Sequence, residues 1–384
     1  MRRPALILIY VACAGSLQAR AASDPKPPAD PKLHFDAVVV DAHCDVTEAM
    51  FYDGYDLLVR HQERHVDLPR LREGGIDAEF FSVFVHPESV DLTRFFPTAM
   101  QQIELLQKTA RRSGGALRMA RNAEEVRENA AAGITSMLIG VEGGHMLLPG
   151  TEEEQLAHLK AFADRGVRYL TLSWSSSSPI GGSTAADAPT GLTPFGKRVL
   201  AEMARLGIVP DLSHGSETLF WDVIKEVKRP VLLSHSAARA LSGHPRNASD
   251  AMLQAVARNG GAVCADFSRT FLDDGFRRAT QSLLQQTKGM RTSAKVDLYK
   301  RAALPEVPLS ALADHIEHIA RVAGIDHVCI GSDFDNAPLM PVGLEDASRL
   351  PALTVALRER GWSAADLRKL LGENLLRVLA ASER

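Results

Sequence analysis

The stretch VVVDAHCDV, residues 38–46, places Asp41, His43 and Asp45 at alternate positions as a run of branched apolar residues ends. Such a run is a strand signal. Alternate side chains of a strand share one face, so the spacing predicts two carboxylates and an imidazole pointing together. The same punctuation recurs along the chain. Glu142 closes an apolar run in GVEGGH, His214 one in DLSH, His235 one in LLSHS and Asp333 one in GSDFD. Each residue alone has an ordinary reading, as a hydrogen-bonded histidine or a capping carboxylate. Buried together, these imidazoles and carboxylates would be costly without a cation.

Nitrogen and carboxylate donors without clustered thiols suit zinc, with manganese or cobalt as alternatives. A pair of ions needs one ligand that spans both, which a carboxylate can do. Glu142 is the candidate bridge, and its flanking glycines let the backbone come close. His43 and Asp45 would then hold one ion, His214 and His235 the other. A water bridging the two would be ionised near neutral pH and serve as nucleophile. Asp333 would take its proton and pass it to a leaving amine.

The elements that must position these groups are legible as an alternation. Strand-like segments cover residues 37–45, 77–85, 135–144, 167–174, 208–214, 230–236, 261–267 and 327–334. Amphipathic runs separate them, among them TEEEQLAHLKAFADRG, TPFGKRVLAEMARLG, SETLFWDVIKEVK and SALADHIEHIARVAG. Several begin at Ser or Thr and stop at Gly, as capped helices do. Eight strands alternating with helices predict an α/β fold, a TIM-type (β/α)8 barrel, with chemistry at the C-terminal ends of the strands. A doubly wound sheet would carry a glycine-rich loop after its first strand, where His43-Cys44-Asp45 stands instead. The barrel is expected as a single domain over 37–384, with residues 268–308 as a long insertion.

The chain has 384 residues and a net charge of −3, and no basic run points to a nucleic-acid partner. Arg2 and Arg3, the apolar run after them and the small residues Ala19 and Ala21 read as a signal peptide over 1–21. A flexible leader over 22–36 follows, and an exported protein, periplasmic or secreted, is expected. Tyr10 stands where a lipoprotein signal wants a small apolar residue, which argues against anchoring through Cys13. Cys44, Cys264 and Cys329 each lie in an apolar run and are expected as buried thiols, without a disulfide framework. The sequon NAS at Asn247 is read as coincidence.

The segments DAHCD, HVDLPRLREGGIDAEFFSVF, GVEGGH, GLTPFGKRVLAEMARLGIVPDLSH, RPVLLSHSAARAL, HPRNASD and GSDFD, in this order, resemble the membrane (renal) dipeptidase family of amidohydrolase-like barrels. The resemblance runs along nearly the whole mature chain. It implies a metallopeptidase with two zinc ions that hydrolyses dipeptides, and a homodimer. By position, His43, Asp45, Glu142, His214 and His235 match the metal ligands. Arg246 in HPRN matches an arginine that grips the substrate's C-terminal carboxylate. Asp333 matches an acid–base aspartate that also contacts the substrate amine.

Two positions depart from the family's pattern. Trp174, in LTLSW, stands at the substrate-binding position of a familiar histidine that polarises the scissile carbonyl. Trp donates one neutral N–H, and losing an oxyanion donor costs on the order of a hundredfold in rate. His145 is a candidate substitute. The alternatives are another amide or ester substrate, or a weakly active or non-catalytic homologue. Asn336 stands where Gly is familiar and is expected to alter a loop without touching the chemistry.

Overall fold

The computed structural model describes residues 32–186, 190–287, 290, 298–336 and 339–383. The expected signal peptide, and the leader up to residue 31, lie outside these. Nine strands are described: β1 Val40–Cys44, β2 Ala78–Val83, β3 Leu117–Met119, β4 Thr135–Glu142, β5 Val167–Thr171, β6 Val209–Asp211, β7 Leu232–Ser236, β8 Ala262–Ala265 and β9 Val328–Ile330. Every pairing is parallel, in the order β2-β1-β9-β8-β7-β6-β5-β4. β4 returns to β2 with Ala78 opposite Ser136 and Val83 opposite Val141, so the chain is a closed (β/α)8 barrel. β3 is the extra strand. It runs beside the first residues of β4, below the point where β5 takes over that edge. Three residues are too few to announce a strand by periodicity.

Helices form where capping and apolar spacing agree. Glu152–Asp164 starts at a capping box in which Thr151 and Glu154 exchange side-chain and backbone hydrogen bonds. Pro194–Leu206 starts at Thr193 with Pro at its first turn and ends at Gly207, whose φ of 71° suits a left-handed stop. The barrel interior is filled by Val40, Ala42, Ala78, Phe80, Leu138, Tyr169, Val209, Leu232, Ala262, Cys264 and Cys329. Leu375, Leu376, Val378 and Leu379 of the last helix, Asn374–Ser382, close its floor. Burying each such large apolar side chain contributes about 1.5–3 kcal/mol. That leaves the opposite, C-terminal rim as the end free for polar chemistry.

Three expectations are corrected. The register between β1 and β2 slips, with Asp41 opposite Glu79 but Cys44 opposite Phe81. This bulge breaks the alternation, so Asp41 does not join His43 and Asp45. Its carboxylate accepts instead from the backbone N–H of Ser332 at 2.8 Å and of His43 at 3.4 Å, tying β1 to the turn after β9. Second, Cys264 and Cys329 form a disulfide, while Cys44 is a buried thiol as expected. The two half-cystines face each other across β8 and β9, a register the sequence does not reveal. Third, the end of the expected leader is docked. Lys32–Phe35 is a short helix whose His34 bonds Thr354 Oγ1 and the Gly74 carbonyl, both at 2.7 Å. The expected insertion opens with two helices, Arg269–Leu272 and Asp274–Gln286, and parts of its remainder lie outside the described residues.

Between the sheet and its helices, Glu79 is fully buried and, among the described residues, meets no hydrogen-bond donor beyond the weak thiol of Cys44. Burial, then the nearby Asp41 carboxylate, push its pKa well above the usual range. The unfolded chain gives up this proton from a pH of about 4.5, while the folded chain keeps it. The folded state is therefore favoured below that pH and loses stability as pH rises toward the folded pKa. Glu79→Gln should be more stable than the parent, with a gain larger at about pH 8 than at about pH 5. Parallel denaturation curves at both pH values would refute this. For the disulfide, which spans 65 residues, replacing both cysteines by Ala should cost about 2–4 kcal/mol in denaturant unfolding. A thiol count under denaturing, non-reducing conditions should find only Cys44 of the three reactive, and finding all three would remove the pairing.

Candidate metal centre

His43 leaves the end of β1 with its ring inside the barrel mouth. Its Nδ1 lies 2.8 Å from the hydroxyl of Tyr169, on β5. Gly140 on β4 makes room for that tyrosine, because a Cβ there would sit 2.0 Å from the ring. With Nδ1 donating to Tyr169, the Nε2 lone pair turns to the rim. There Nε2 is buried without a hydrogen-bond partner, 3.5 Å from Asp45 Oδ1, 3.8 Å from Glu142 Oε2 and 3.9 Å from Asp333 Oδ1. Glu142 ends β4, and its other oxygen, Oε1, lies 2.9 Å from His214 Nε2 and 3.4 Å from His235 Nε2. One carboxylate thus faces the His43–Asp45 pair with one oxygen and the His214–His235 pair with the other. Donor atoms of His43, Asp45 and Glu142 lie within 4.8 Å of one another, as do those of Glu142, His214 and His235, and those of His43, His235 and Asp333. The rim ends of β1, β4 and β7 and the turns after β6 and β9 supply them.

The strands also hold the ligand orientations. Asp211, the last residue of β6, is fully buried and accepts from Thr171 Oγ1 at 2.6 Å and Ser234 Oγ at 2.7 Å. With its proton committed to Asp211, Ser234 Oγ must accept from His235 Nδ1, 2.8 Å away. That leaves His235 Nε2 unprotonated and facing the cluster. This relay was not anticipated. Its only trace in the sequence is an acid inside the apolar run IVPDLSH. His214 and Asp333 sit in turns at φ 68° and φ 57°, a left-handed backbone uncommon outside glycine. Both are among the groups that converge.

The charge balance of the cluster fits a cation. Burial, reinforced by Asp45, pushes Glu142 up to about 8. Asp333 is driven well above the usual range by burial and then by Asp266 and Asp45. Burial opposes a charge on His43, yet Asp45, Glu142 and Asp333 together raise it to about 10. Burial holds His214 and His235 well below the usual value, helped by Arg246 and His43. His43 Nε2, Asp45 Oδ1 and Glu142 Oε1 are buried without partners, which divalent ions bound among them would satisfy. The donors are imidazole and carboxylate only. Cys44 packs on the helix side of the sheet, among apolar residues. Such a set suits zinc or its neighbours.

Beside the cluster lies a cavity of about 400 Å³, lined among others by Arg246, Asp333, Asn336, Phe271 and Tyr299. The Arg246 guanidinium lies 3.1 Å from His214 Nδ1, donates to the His235 carbonyl at 3.2 Å, and sits over the Phe271 ring at 5.3 Å. Asp266, just past β8, was missed in the sequence. One of its oxygens accepts from Ser268 N–H at 2.6 Å, the other is buried without a partner, and burial lifts its pKa to about 7. Trp174 packs on Phe84 at 4.6 Å and His86 at 5.1 Å, with its ring 6.2 Å from that of His214. It forms a wall beside the cluster. His145 does not fill the role of a substitute donor. Its Nε2 bonds the Val85 carbonyl at 3.0 Å, so the proton sits there and Nδ1 is left as an acceptor. Asn336 departs from expectation too, since its amide Nδ2 lies 3.2 and 3.1 Å from the two oxygens of Asp333. Asn247 is buried and donates to the Ser242 and Phe271 carbonyls at 2.9 and 2.8 Å, which leaves its sequon no room for a glycan.

Comparison with known proteins agrees with this geometry. Residues 30–384 match the model of the membrane dipeptidase family, peptidase family M19. Dipeptidase 3 of Macaca fascicularis is 32% identical over 360 residues, covering 91% of this chain and 66% of that protein, just under two thirds of its length. A metallopeptidase from Rhodobacter sphaeroides, solved with a phosphinate mimic of the dipeptide L-Ala-D-Ala, is 28% identical with a TM-score of 0.77, over 90% of this chain and 99% of that one. The probable dipeptidase PvdM from Pseudomonas aeruginosa, 23% identical over 91% and 96% of the two chains, shares the fold with a TM-score of 0.79. The barrel, the converging histidines and carboxylates and the match over residues 30–384 lead to one conclusion: the chain belongs to the membrane dipeptidase family of metallopeptidases.

Proposed function

We propose that this protein is a zinc-dependent dipeptidase that cuts dipeptides bearing a free C-terminal carboxylate. The observation that carries the reading is Glu142, whose two oxygens face two separate pairs of ligating side chains. Two zinc ions held there would supply Lewis acidity and lower the pKa of a water shared between them, making hydroxide available near neutral pH. His43 and Asp45 would hold one ion, His214 and His235 the other, and Glu142 would serve both. The dipeptide mimic carried by the Rhodobacter sphaeroides metallopeptidase supports a small peptide substrate. The disulfide and the signal-like first 21 residues support an exported, oxidising setting.

The chain's own groups divide the remaining work. Arg246 lines the cavity with a planar fork that meets a carboxylate in two parallel hydrogen bonds. Among the described residues its Nε is buried without a hydrogen-bond partner. Asp333 lies between the cluster and the cavity, where its carboxylate can hold the proton released by the attacking water and deliver it to the leaving amine nitrogen. Trp174 bounds the site beside His214 but brings no positive charge to the scissile carbonyl. That feature favours a second reading, in which turnover of ordinary dipeptides is weak and another amide or ester is the better substrate.

Metal analysis of the purified protein should find about two zinc equivalents per chain, and a chelator should abolish dipeptide hydrolysis until zinc is returned. A broad dipeptide panel without turnover, despite two bound ions, would overturn the dipeptidase reading and leave the second one. Arg246→Ala should raise KM for free dipeptides on the order of tenfold to a hundredfold, as expected for a lost charged hydrogen-bond pair. C-terminally amidated dipeptides should be nearly unaffected. Equal losses on both would remove the carboxylate grip.

A further inference from the structure

The turn Ser332–Asn336 is held from several sides. Ser332 N–H donates to Asp41 at 2.8 Å, and Asp333 N–H to the His43 carbonyl at 3.1 Å. Phe334 accepts from Asp45 N–H at 2.8 Å, and the Asp335 carboxylate accepts from the N–H groups of His65 and Val66 at 3.0 and 3.2 Å. Asp333 and Asp335 both adopt left-handed backbone, at φ 57° and 71°, which the surrounding hydrogen bonds must sustain. The backbone of Asp333 is therefore fixed. Its side chain is not fixed by the same contacts. His43 Nε2 is 3.9 Å away, beyond hydrogen-bond reach. Among the described residues, the hydrogen-bond donor to its carboxylate is the Asn336 amide, at 3.2 Å from one oxygen and 3.1 Å from the other. In its ionised form, the one that can take up a proton, the carboxylate only accepts, and the amide nitrogen is the Asn336 atom that faces it.

We infer that Asn336 is a positioning residue that fixes the Asp333 carboxylate between the ligand cluster and the cavity for its proton transfer. The inference rests on the reading of Asp333 as the acid–base group. Asn336 reaches back over one turn and straddles the two oxygens, which restricts rotation about the Asp333 side chain. It also lines the cavity beside Asp333 and Arg246, so the fixed carboxylate edge faces the space a substrate would enter. A displacement of about 1 Å in a catalytic group can cost about a hundredfold in rate. A residue that only completed the turn would act on stability instead, and the Asn336 backbone already does that through its N–H to the Asp333 carbonyl at 3.4 Å.

The test is a double-mutant cycle on the zinc-loaded enzyme with a free dipeptide, using Asn336→Ala, Asp333→Asn and the pair. Metal content and thermal midpoint are measured on each. Asn336→Ala should lower kcat about tenfold to a hundredfold with KM changed less than about threefold, and with unchanged metal content and midpoint. In the Asp333→Asn background the same change should have no further effect. Asn336→Asp, which sets a like charge against Asp333 in the same volume, should lose at least as much kcat as the Ala variant. If Asn336→Ala and Asn336→Asp keep kcat within about twofold while Asp333→Asn is inactive, the positioning role is overturned and the acid–base reading stands. Losses that multiply in the double variant, or that track a fall in midpoint or metal content, overturn it as well. If Asp333→Asn keeps full activity, the acid–base reading falls, and the role of Asn336 falls with it.

Discussion

The constraint on which this molecule turns is the cost of gathering ionisable groups out of water. Glu142, His43, Asp45, His214, His235 and Asp333 crowd the rim of one barrel, nearly all of them sealed from solvent. Left to themselves they hold one another in compromised protonation states. Two carboxyls are pushed up, two imidazoles are pushed down, and one imidazole is charged by its acidic neighbours. Nothing in the apolar packing beneath requires that arrangement. Divalent cations shared through Glu142 would turn His43, Asp45, Glu142, His214 and His235 into ligands, each then needed in its metal-binding form.

The barrel makes such a cluster affordable by dividing labour between its ends. The floor and interior are apolar, closed by the last helix, and supply stability. The rim carries the polar groups, and the strands reach into the sheet to hold them. Tyr169 in the slot beside Gly140 steadies His43, while Asp211, through Ser234, steadies His235. These supports set which ring nitrogen faces the centre, and imidazoles on unsupported loops would lack that definition. The turns that carry His214 and Asp333 adopt left-handed backbone at the same rim. Unfavourable backbone there is sustained by the hydrogen bonds packed around it.

The wall beside His214 is aromatic: Trp174 packs against Phe84, and the nearby His145 is committed to the Val85 carbonyl. The opposite wall pairs Arg246 with an aspartate braced by Asn336. The site is thus polar around Arg246 and Asp333, and aromatic beside His214.

How much of this could be read in advance follows from the range of each interaction. Strand and helix order, the barrel class and the polar residues that gather at the rim were legible, because apolar periodicity, caps and strand-end polar residues are local signals. Asp41 misled because alternation assumes an unbroken strand, and the β1 bulge is set by pairing with β2. The Cys264–Cys329 bond escaped because it depends on the register of two strands separated by 65 positions in the chain. Asp211, Asp266 and the amide of Asn336 escaped for a related reason. Their sequence neighbours say that they are polar, but only packed neighbours decide whether a carboxylate caps a turn, anchors a ligand or faces another carboxylate. The sequence alone determined which residues could hold cations and on what scaffold. The tertiary structure decided which of them meet, because burial and strand register are properties of the closed barrel and of no segment within it.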